Sequence, residues 1–536
     1  MKKIALFLAC LCAAATLCAQ HATIDQIQMQ KLQQAEFFIK NLYVDELNDE
    51  KLVDAAIEGM LKQLDPHSTY VRAKDVEKTN ENLNGSFEGV GIQFQMVEDT
   101  LVVIKTVSGG PCEKQGILPG DRVVYVNDST IAGVKMTNAG IMSKLRGPKG
   151  SKVKLGVLRA GVKGINNFNI IRDKIPVYTI DAYYMATPTV GYIRVDSFGA
   201  TTLDEFLAAV KKLKEKGMSR LLVDLQGNGG GYLQTAFRMA NEFLAKGEKI
   251  LSQKGNRMAG GGEQIYTADG SGTLQDIPVV ILVDSYSASA SEILSGAIQD
   301  NDRGLIVGRR TFGKGLVQRP IELADKSMIR LTTAHYYTPT GRCIQKPYEL
   351  GDAKSYQKDI EDRLNSGELT NIDSIHFADS LKYETLHLGR TVYGGGGIMP
   401  DYYVPLDTTI YTKLHRELTA KSCINGTVLK FMDKNRKALE KKYLKKDIAF
   451  FKQNYVVDEE MFNQLKLEAE KAEVKYTDEE FEESKPMIRK VFKALIGRDL
   501  WETSAYYELY NENNNIYAKG LEVISSDEPV KITSWK

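Results

Sequence analysis

Residues 279–318 constrain this chain more than any other stretch. Val279 to Val283 is an unbroken apolar run rich in β-branched side chains, the pattern of a buried strand. Ser287-Ala288-Ser289-Ala290-Ser291 follows, and then Ile293, Leu294, Ala297 and Ile298 at helical spacing. A strand that turns sharply into a helix presents a serine at the helix N-terminus, where backbone N–H groups lack partners. Those groups and the helix dipole favour a developing oxyanion. A second strand, Leu305 to Val307, leads into Thr311-Phe312-Gly313-Lys314-Gly315. This sets a lysine in a glycine-flanked turn beside Phe312, Leu316 and Val317. Those neighbours are expected to keep its amine from water, which favours the uncharged form. A serine and such a lysine can serve as nucleophile and base.

The same residues admit other readings. Gly308 to Lys314 spells G-x-x-x-x-G-K, the start of a phosphate-binding loop. That loop needs Ser or Thr next and then a helix. Here Gly315 follows, and Leu316, Val317 and Pro320 argue for strand or loop. The bland reading is that small serines pack a helix against a sheet while Lys314 is solvated. Spacing alone decides neither this nor which of the three serines reacts.

S-A-S-A-S-E-I, then Q-D, then F-G-K-G-x-V-Q resembles the carboxyl-terminal processing (tail-specific) proteases, PDZ-containing serine peptidases with a Ser/Lys dyad. The resemblance implies that the middle serine, Ser289, is the nucleophile and that Lys314 is its base. It also implies that Gln318 orients the base. Asp300 matches a carboxylate implicated in some members; the structural alternative is a partner for Arg303 at the helix end. A Ser/His variant would use His335.

The chain has 536 residues and is 43% hydrophobic, enough for two or three domains. Its net charge of +1 implies no polyanionic partner, and no nucleic acid is expected. Residues 1–19 read as a signal peptide: Lys2-Lys3, an apolar run from Ile4 to Leu17, and cleavage after Ala19. A lipoprotein reading through Cys18 is disfavoured by the bulky Leu17 before it. The mature protein is therefore expected to be exported and periplasmic or envelope-associated. Cys112, Cys343 and Cys423 remain, too scattered for a disulfide framework. The six histidines are dispersed, so no metal site and no cofactor are expected.

The predicted organisation is a helical region over 20–80, a second unit over 81–175, a core over 176–410 and a helical region over 411–536. In the first, Leu64-Asp65-Pro66-His67-Ser68 ends a helix, and His67 is expected to cap or pack a turn. Residues 81–175 resemble a bacterial PDZ domain. Its Gly89-Val90-Gly91-Ile92 turn matches the carboxylate-binding loop, where successive backbone N–H groups capture a terminal carboxylate. The bound peptide is expected to add as a strand beside Ile92 to Met96. Ile141, Met142 and Leu145 of a following helix are expected to line the groove.

In the core, strand–helix–strand alternation argues for parallel α/β structure. Leu221 to Leu225 ends in Gln226-Gly227-Asn228-Gly229-Gly230-Gly231. The resemblance implies an oxyanion hole from the amide of Gly229 or Gly230 together with that of Ala290. Where the resembled family usually has arginine this chain has Gln226, which puts a structural salt bridge in doubt. The fold class expected is multidomain α/β: a crotonase/ClpP-like protease core with an inserted β-rich PDZ domain and helical N- and C-terminal regions.

The Lys- and Glu-rich end reads as a helical appendage, with self-association through the helical termini and a loose segment from Val523 onward. The activity expected is an endopeptidase acting on proteins or peptides with free, apolar C-termini. A catalytically silent PDZ adaptor and a crotonase-like acyl-transfer enzyme are the alternatives. A hydrolysis assay separates the first; the PDZ insertion and Ser289 disfavour the second.

Overall fold

The computed structural model describes residues 26–256 and 262–533. The signal-peptide segment, residues 1–19, lies outside the described residues. The chain divides into a small unit, formed by residues up to Ala73 with Pro320–Leu331 and Glu349–Ala353, and a large unit that holds the rest.

In the small unit a helix covers residues 26–42. A second, Asp49–Leu61, starts at Asn48, whose side chain accepts from Lys51 N, and carries Asp49 and Glu50 against the positive end of its dipole. Asp54 is buried and accepts from Tyr70 Oη at 2.7 Å and Arg72 Nε at 2.9 Å. The strand Thr69–Val71 runs antiparallel to Met328–Arg330. Asp65 accepts from the amides of His67 and Ser68 and from the Ser68 hydroxyl, so His67 sits in a turn, as expected.

In the large unit the PDZ region is an antiparallel sheet in the order Ile92–Val97, Thr100–Thr106, Arg122–Val126, Lys152–Leu158, Ile165–Ile171. The helix Asn138–Leu145 packs beneath it. Ile92–Val97 is an edge strand, with backbone groups open to another strand. The groove expectation needs correcting. Ile141 and Leu145 are buried in the PDZ core, so of the three only Met142 stays partly exposed. The reason is helical periodicity: residues four apart share the face that the core claims.

The core sheet has six strands whose spatial order is their chain order: β1 (Ile180–Met185), β2 (Val190–Val195), β3 (Arg220–Asp224), β4 (Val279–Val283), β5 (Leu305–Gly308) and β6 (Tyr402–Tyr403). β1 is antiparallel to β2; the remaining pairs are parallel. Three helices, α1 (Thr202–Glu215), α2 (Leu233–Asn241) and α3 (Ala290–Asp300), cover one face, packing on Ile193, Val223, Ile281 and Ile306. All five residues of β4 are buried, as two-sided coverage of a parallel sheet requires.

The other face is covered by the C-terminal end of the chain. Tyr192, Leu222, Val280, Leu282, Leu305 and Val307 cluster with Ile516, Val523, Ile524 and Ile532. The expectation of a loose segment from Val523 is therefore overturned through residue 533. Helices Asn515–Ser525 and Glu528–Thr533 are part of the fold. Arg220 fixes the end of the first by donating to Ile524 O and Ser526 O, both at 2.7 Å. Residues 414–509 build a separate helical core around Phe451, Phe462, Phe481 and Phe492. Lys430 joins this core to Glu98 of the PDZ region at 3.0 Å.

Candidate active site

The serine turn lies between β4 and α3. Ser289 has φ 56° and ψ −111°, a conformation rare for a residue with a Cβ and costing about 1–3 kcal/mol. The three serines of the motif have different environments. Ser287 is buried and its hydroxyl donates to Leu225 O at 2.7 Å. Ser291 is buried and its hydroxyl donates to Asn228 O at 2.9 Å. Ser289 is partly exposed. The two outer serines thus hold the glycine-rich loop against the turn.

That loop follows β3. Gly230 has φ 104°, and a Cβ there would lie 2.8 Å from Ser289 Cβ and 3.0 Å from Ala290 N. Only glycine fits this approach. Gly230 is thereby brought against the start of α3 at Ala290. The Gly230 amide itself donates to Asn228 Oδ1 at 2.8 Å.

Lys314 and Gln318 also meet. Lys314 Nζ donates to Gln318 Oε1 at 3.2 Å, and both side chains are partly buried. Leu316 is buried and Val317 packs on the core. What fixes this lysine turn relative to Ser289 is a residue that sequence reasoning missed, Glu292. Its carboxylate is fully buried and accepts from Ser289 N at 2.7 Å, Thr311 Oγ1 at 2.5 Å, Gly313 N at 2.7 Å and Lys314 N at 2.9 Å. Burial pushes its pKa up, while the Thr311 hydroxyl and the three amides pull it down. One carboxylate therefore joins the backbones of both turns. Tyr336 makes a second tie: its buried hydroxyl lies 3.1 Å from Ser289 O and 2.9 Å from Lys314 O and shares its proton between them. The available signal was S-x-x-E opening an apolar helix, the capping-box pattern.

Asp300 does not pair with Arg303. It is fully buried and accepts from Arg342 Nη2 at 2.5 Å and from Thr340 Oγ1 at 2.7 Å. Arg303 instead donates to the carbonyls of Phe243, Leu274 and Ile277. His335 lies opposite Lys254 in the strand Met328–Tyr337. Alternation turns it to the face opposite Tyr336, whose hydroxyl reaches both turns. The doubt over Gln226 is answered by a neighbouring strand. Arg194 of β2 donates to Gln226 O at 2.7 Å and to Asp224 Oδ2 at 3.2 Å.

The PDZ loop residues Gly89 to Ile92 sit between the strand Ser86–Gly89 and the edge strand. Gly91 has φ 75°, and an added Cβ would meet Ile175 Cδ1 at 3.1 Å and Pro111 Cδ at 3.3 Å. Cys112, Cys343 and Cys423 are free thiols. No cluster of metal-ligating side chains is present among the described residues. No helix of the described residues is long and apolar enough to cross a membrane.

A parallel α/β core with a strained serine at a helix N-terminus, joined to a PDZ region, defines a serine-type peptidase. Comparison with known proteins makes this specific. The model of peptidase family S41 matches residues 189–353, and a PDZ-domain model matches 89–168. The model of the activating protease CtpB N-terminal domain matches 13–75, and a family of unknown function matches 414–502. The chain is 35% identical over 361 residues to carboxy-terminal processing protease CtpA of Bacillus subtilis, covering 66% of this chain and 76% of that one. It is 36% identical over 313 residues to a carboxy-terminal-processing protease of Bartonella bacilliformis, covering 57% and 70%. Among solved structures it is similar to the photosystem II D1 C-terminal processing protease, at 25% identity and a TM-score of 0.36, over 70% of this chain and 87% of that one. The chain belongs to the carboxy-terminal processing protease family of serine peptidases.

Proposed function

We propose that this protein is an exported Ser/Lys endopeptidase that cleaves proteins near exposed, apolar C-termini captured by its PDZ domain. Ser289 Oγ attacks the scissile carbonyl while the neutral amine of Lys314 takes its proton. Gln318, by accepting one Lys314 N–H, turns the amine lone pair toward the serine. The amides of Ala290 and Gly229 hold the oxyanion, since the Gly230 amide is engaged by Asn228. Lys314 returns the proton to the leaving amine, and water then hydrolyses the acyl-enzyme. No cofactor takes part in these steps. We read the core as crotonase/ClpP-like, in keeping with its glycine-rich loop after a parallel strand. Self-association is assigned to the helix over 26–42, whose Ile27, Met29, Phe37 and Leu42 are exposed.

The observation that carries the reading is the buried Glu292 carboxylate, which bonds the backbone of Ser289 and of Lys314 at once. Lys314→Arg is the test. Arginine keeps its charge in proteins, so hydrolysis is expected to vanish with the fold intact. Wild-type turnover in Lys314→Arg removes lysine as the base.

A further inference from the structure

A turn of backbone offers amides and carbonyls, and an ionised carboxylate can accept only from the amides. Glu292 takes those of Gly313 and Lys314. The carbonyls just before them are taken by Arg363, on the helix Ala353–Asn365. Its Nη1 donates to Thr311 O at 2.9 Å and, more weakly, to Arg310 O at 3.4 Å. Its Nη2 donates to Phe312 O at 3.2 Å. About two helical turns earlier, Tyr356 meets the Phe312 ring edge-on, with centroids 5.8 Å apart. Lys346 N donates to Gly313 O at 2.9 Å, and Gln345 Oε1 accepts from Gly315 N at 2.8 Å. The backbone is thus held on both sides of Lys314, residue after residue.

Ion pairing alone does not account for an arginine at this position. Arg363 Nε lies 3.0 Å from Asp359 and 3.8 Å from Glu368, but each carboxylate has another cation. Lys346 Nζ is 3.0 Å from Asp359. Arg310 donates to Glu368 through Nε at 2.7 Å and Nη2 at 2.5 Å. What Arg363 adds is a rigid planar fork that spans consecutive carbonyls, which a lysine cannot do. It is buried, and it lies beyond residue 353, where the match to peptidase family S41 ends.

We propose that Arg363 is a positioning residue for the base. It fixes Lys314 by holding the carbonyls of Thr311 and Phe312, as Glu292 does by holding amides. The proposal rests on the reading of Lys314 as that base.

The experiment is steady-state peptide hydrolysis by the full chain, with melting temperatures taken alongside. Arg363→Lys keeps the charge beside Asp359 and Glu368 and loses the fork; Arg363→Met loses both. Each is expected to lower kcat at least ten-fold with KM within two-fold, and Arg363→Lys is expected to hold its melting temperature. Arg303, which donates to three carbonyls away from the two turns, is the comparator. Arg303→Lys is expected to lower the melting temperature while the folded protein keeps kcat within two-fold. Wild-type kcat in folded Arg363→Lys overturns the proposal, and this variant decides if Arg363→Met fails to fold. A rise in KM with kcat held also overturns it, because the helix would then shape substrate binding. An equal fall of kcat in folded Arg303→Lys overturns it too, since the loss would be common to buried arginines. Wild-type turnover in Lys314→Ala overturns the reading of the base and this proposal with it, whereas the other outcomes leave that reading standing.

Discussion

The Ser289 turn and the PDZ loop are both short turns that begin after a strand, and they are built by opposite means. Around Ser289 the conformation is strained and is held by side chains: Glu292, Tyr336, Ser287 and Ser291 all bond backbone groups of the site. Around Gly91 the conformation rests on the backbone: φ is 75°, and Ile175 and Pro111 leave no room for a Cβ, so glycine shapes the start of the edge strand. Chemistry needs one atom fixed to a fraction of an ångström, so several buried hydrogen bonds over-determine it. Capture of a chain end needs only aligned amides and an open strand edge.

The comparison predicts a hierarchy of effects. Ser289→Ala is expected to reduce peptide hydrolysis to the background rate; wild-type turnover would sink the nucleophile assignment. Glu292→Ala comes next. Losing the shared acceptor lets the two turns drift apart, and a misplacement of about 1 Å costs roughly 10²-fold. A fall of about 100-fold in kcat, with KM little changed, is expected in steady-state kinetics. An unchanged kcat in folded protein would mean that the turns are fixed without it.

Asp300→Ala distinguishes a structural carboxylate from a catalytic one. It leaves Arg342 buried without its charge partner, a loss of about 3–5 kcal/mol in denaturant unfolding. The folded fraction is expected to keep kcat within a few-fold. A folded but inactive variant of unchanged stability would make Asp300 part of the chemistry.

The PDZ side is expected to respond more weakly. Amidating a substrate C-terminus, or Gly91→Val, removes a charge-assisted contact of roughly 1.5–3 kcal/mol and should raise KM about ten-fold or more with kcat retained. Equal kinetics on acid and amide peptides would end the idea of C-terminal sensing. Smallest of all, Ser291→Ala should cost about 1 kcal/mol of stability and Ser287→Ala somewhat more, each with only a few-fold loss of activity, since Ser291 donates one buried hydrogen bond while Ser287 donates to Leu225 O and also accepts from Asp284 N. Complete loss of hydrolysis in either would blur the difference between Ser289 and its neighbours.

The sequence by itself determined the local elements and the order of the chemistry. The apolar run Val279–Val283 had to be a buried strand, the spacing of Ile293, Leu294, Ala297 and Ile298 marked the helix after it, and the motif as a whole carried the family. It also marked the PDZ region, through the resemblance over residues 81–175 in which the Gly89–Ile92 turn sits. Tertiary structure alone decided which polar groups meet. Glu292 went unread in the sequence, because its bonds to Gly313 and Lys314 depend on a loop that returns about twenty residues later. Asp300 found Arg342 rather than Arg303, because the nearer arginine is taken up by three carbonyls. The end from Val523 looked loose, yet Val523, Ile524 and Ile532 help cover the sheet. Periodicity tells which face of an element is apolar. It does not tell which distant surface that face will bury, because the partner is chosen by packing across the whole chain.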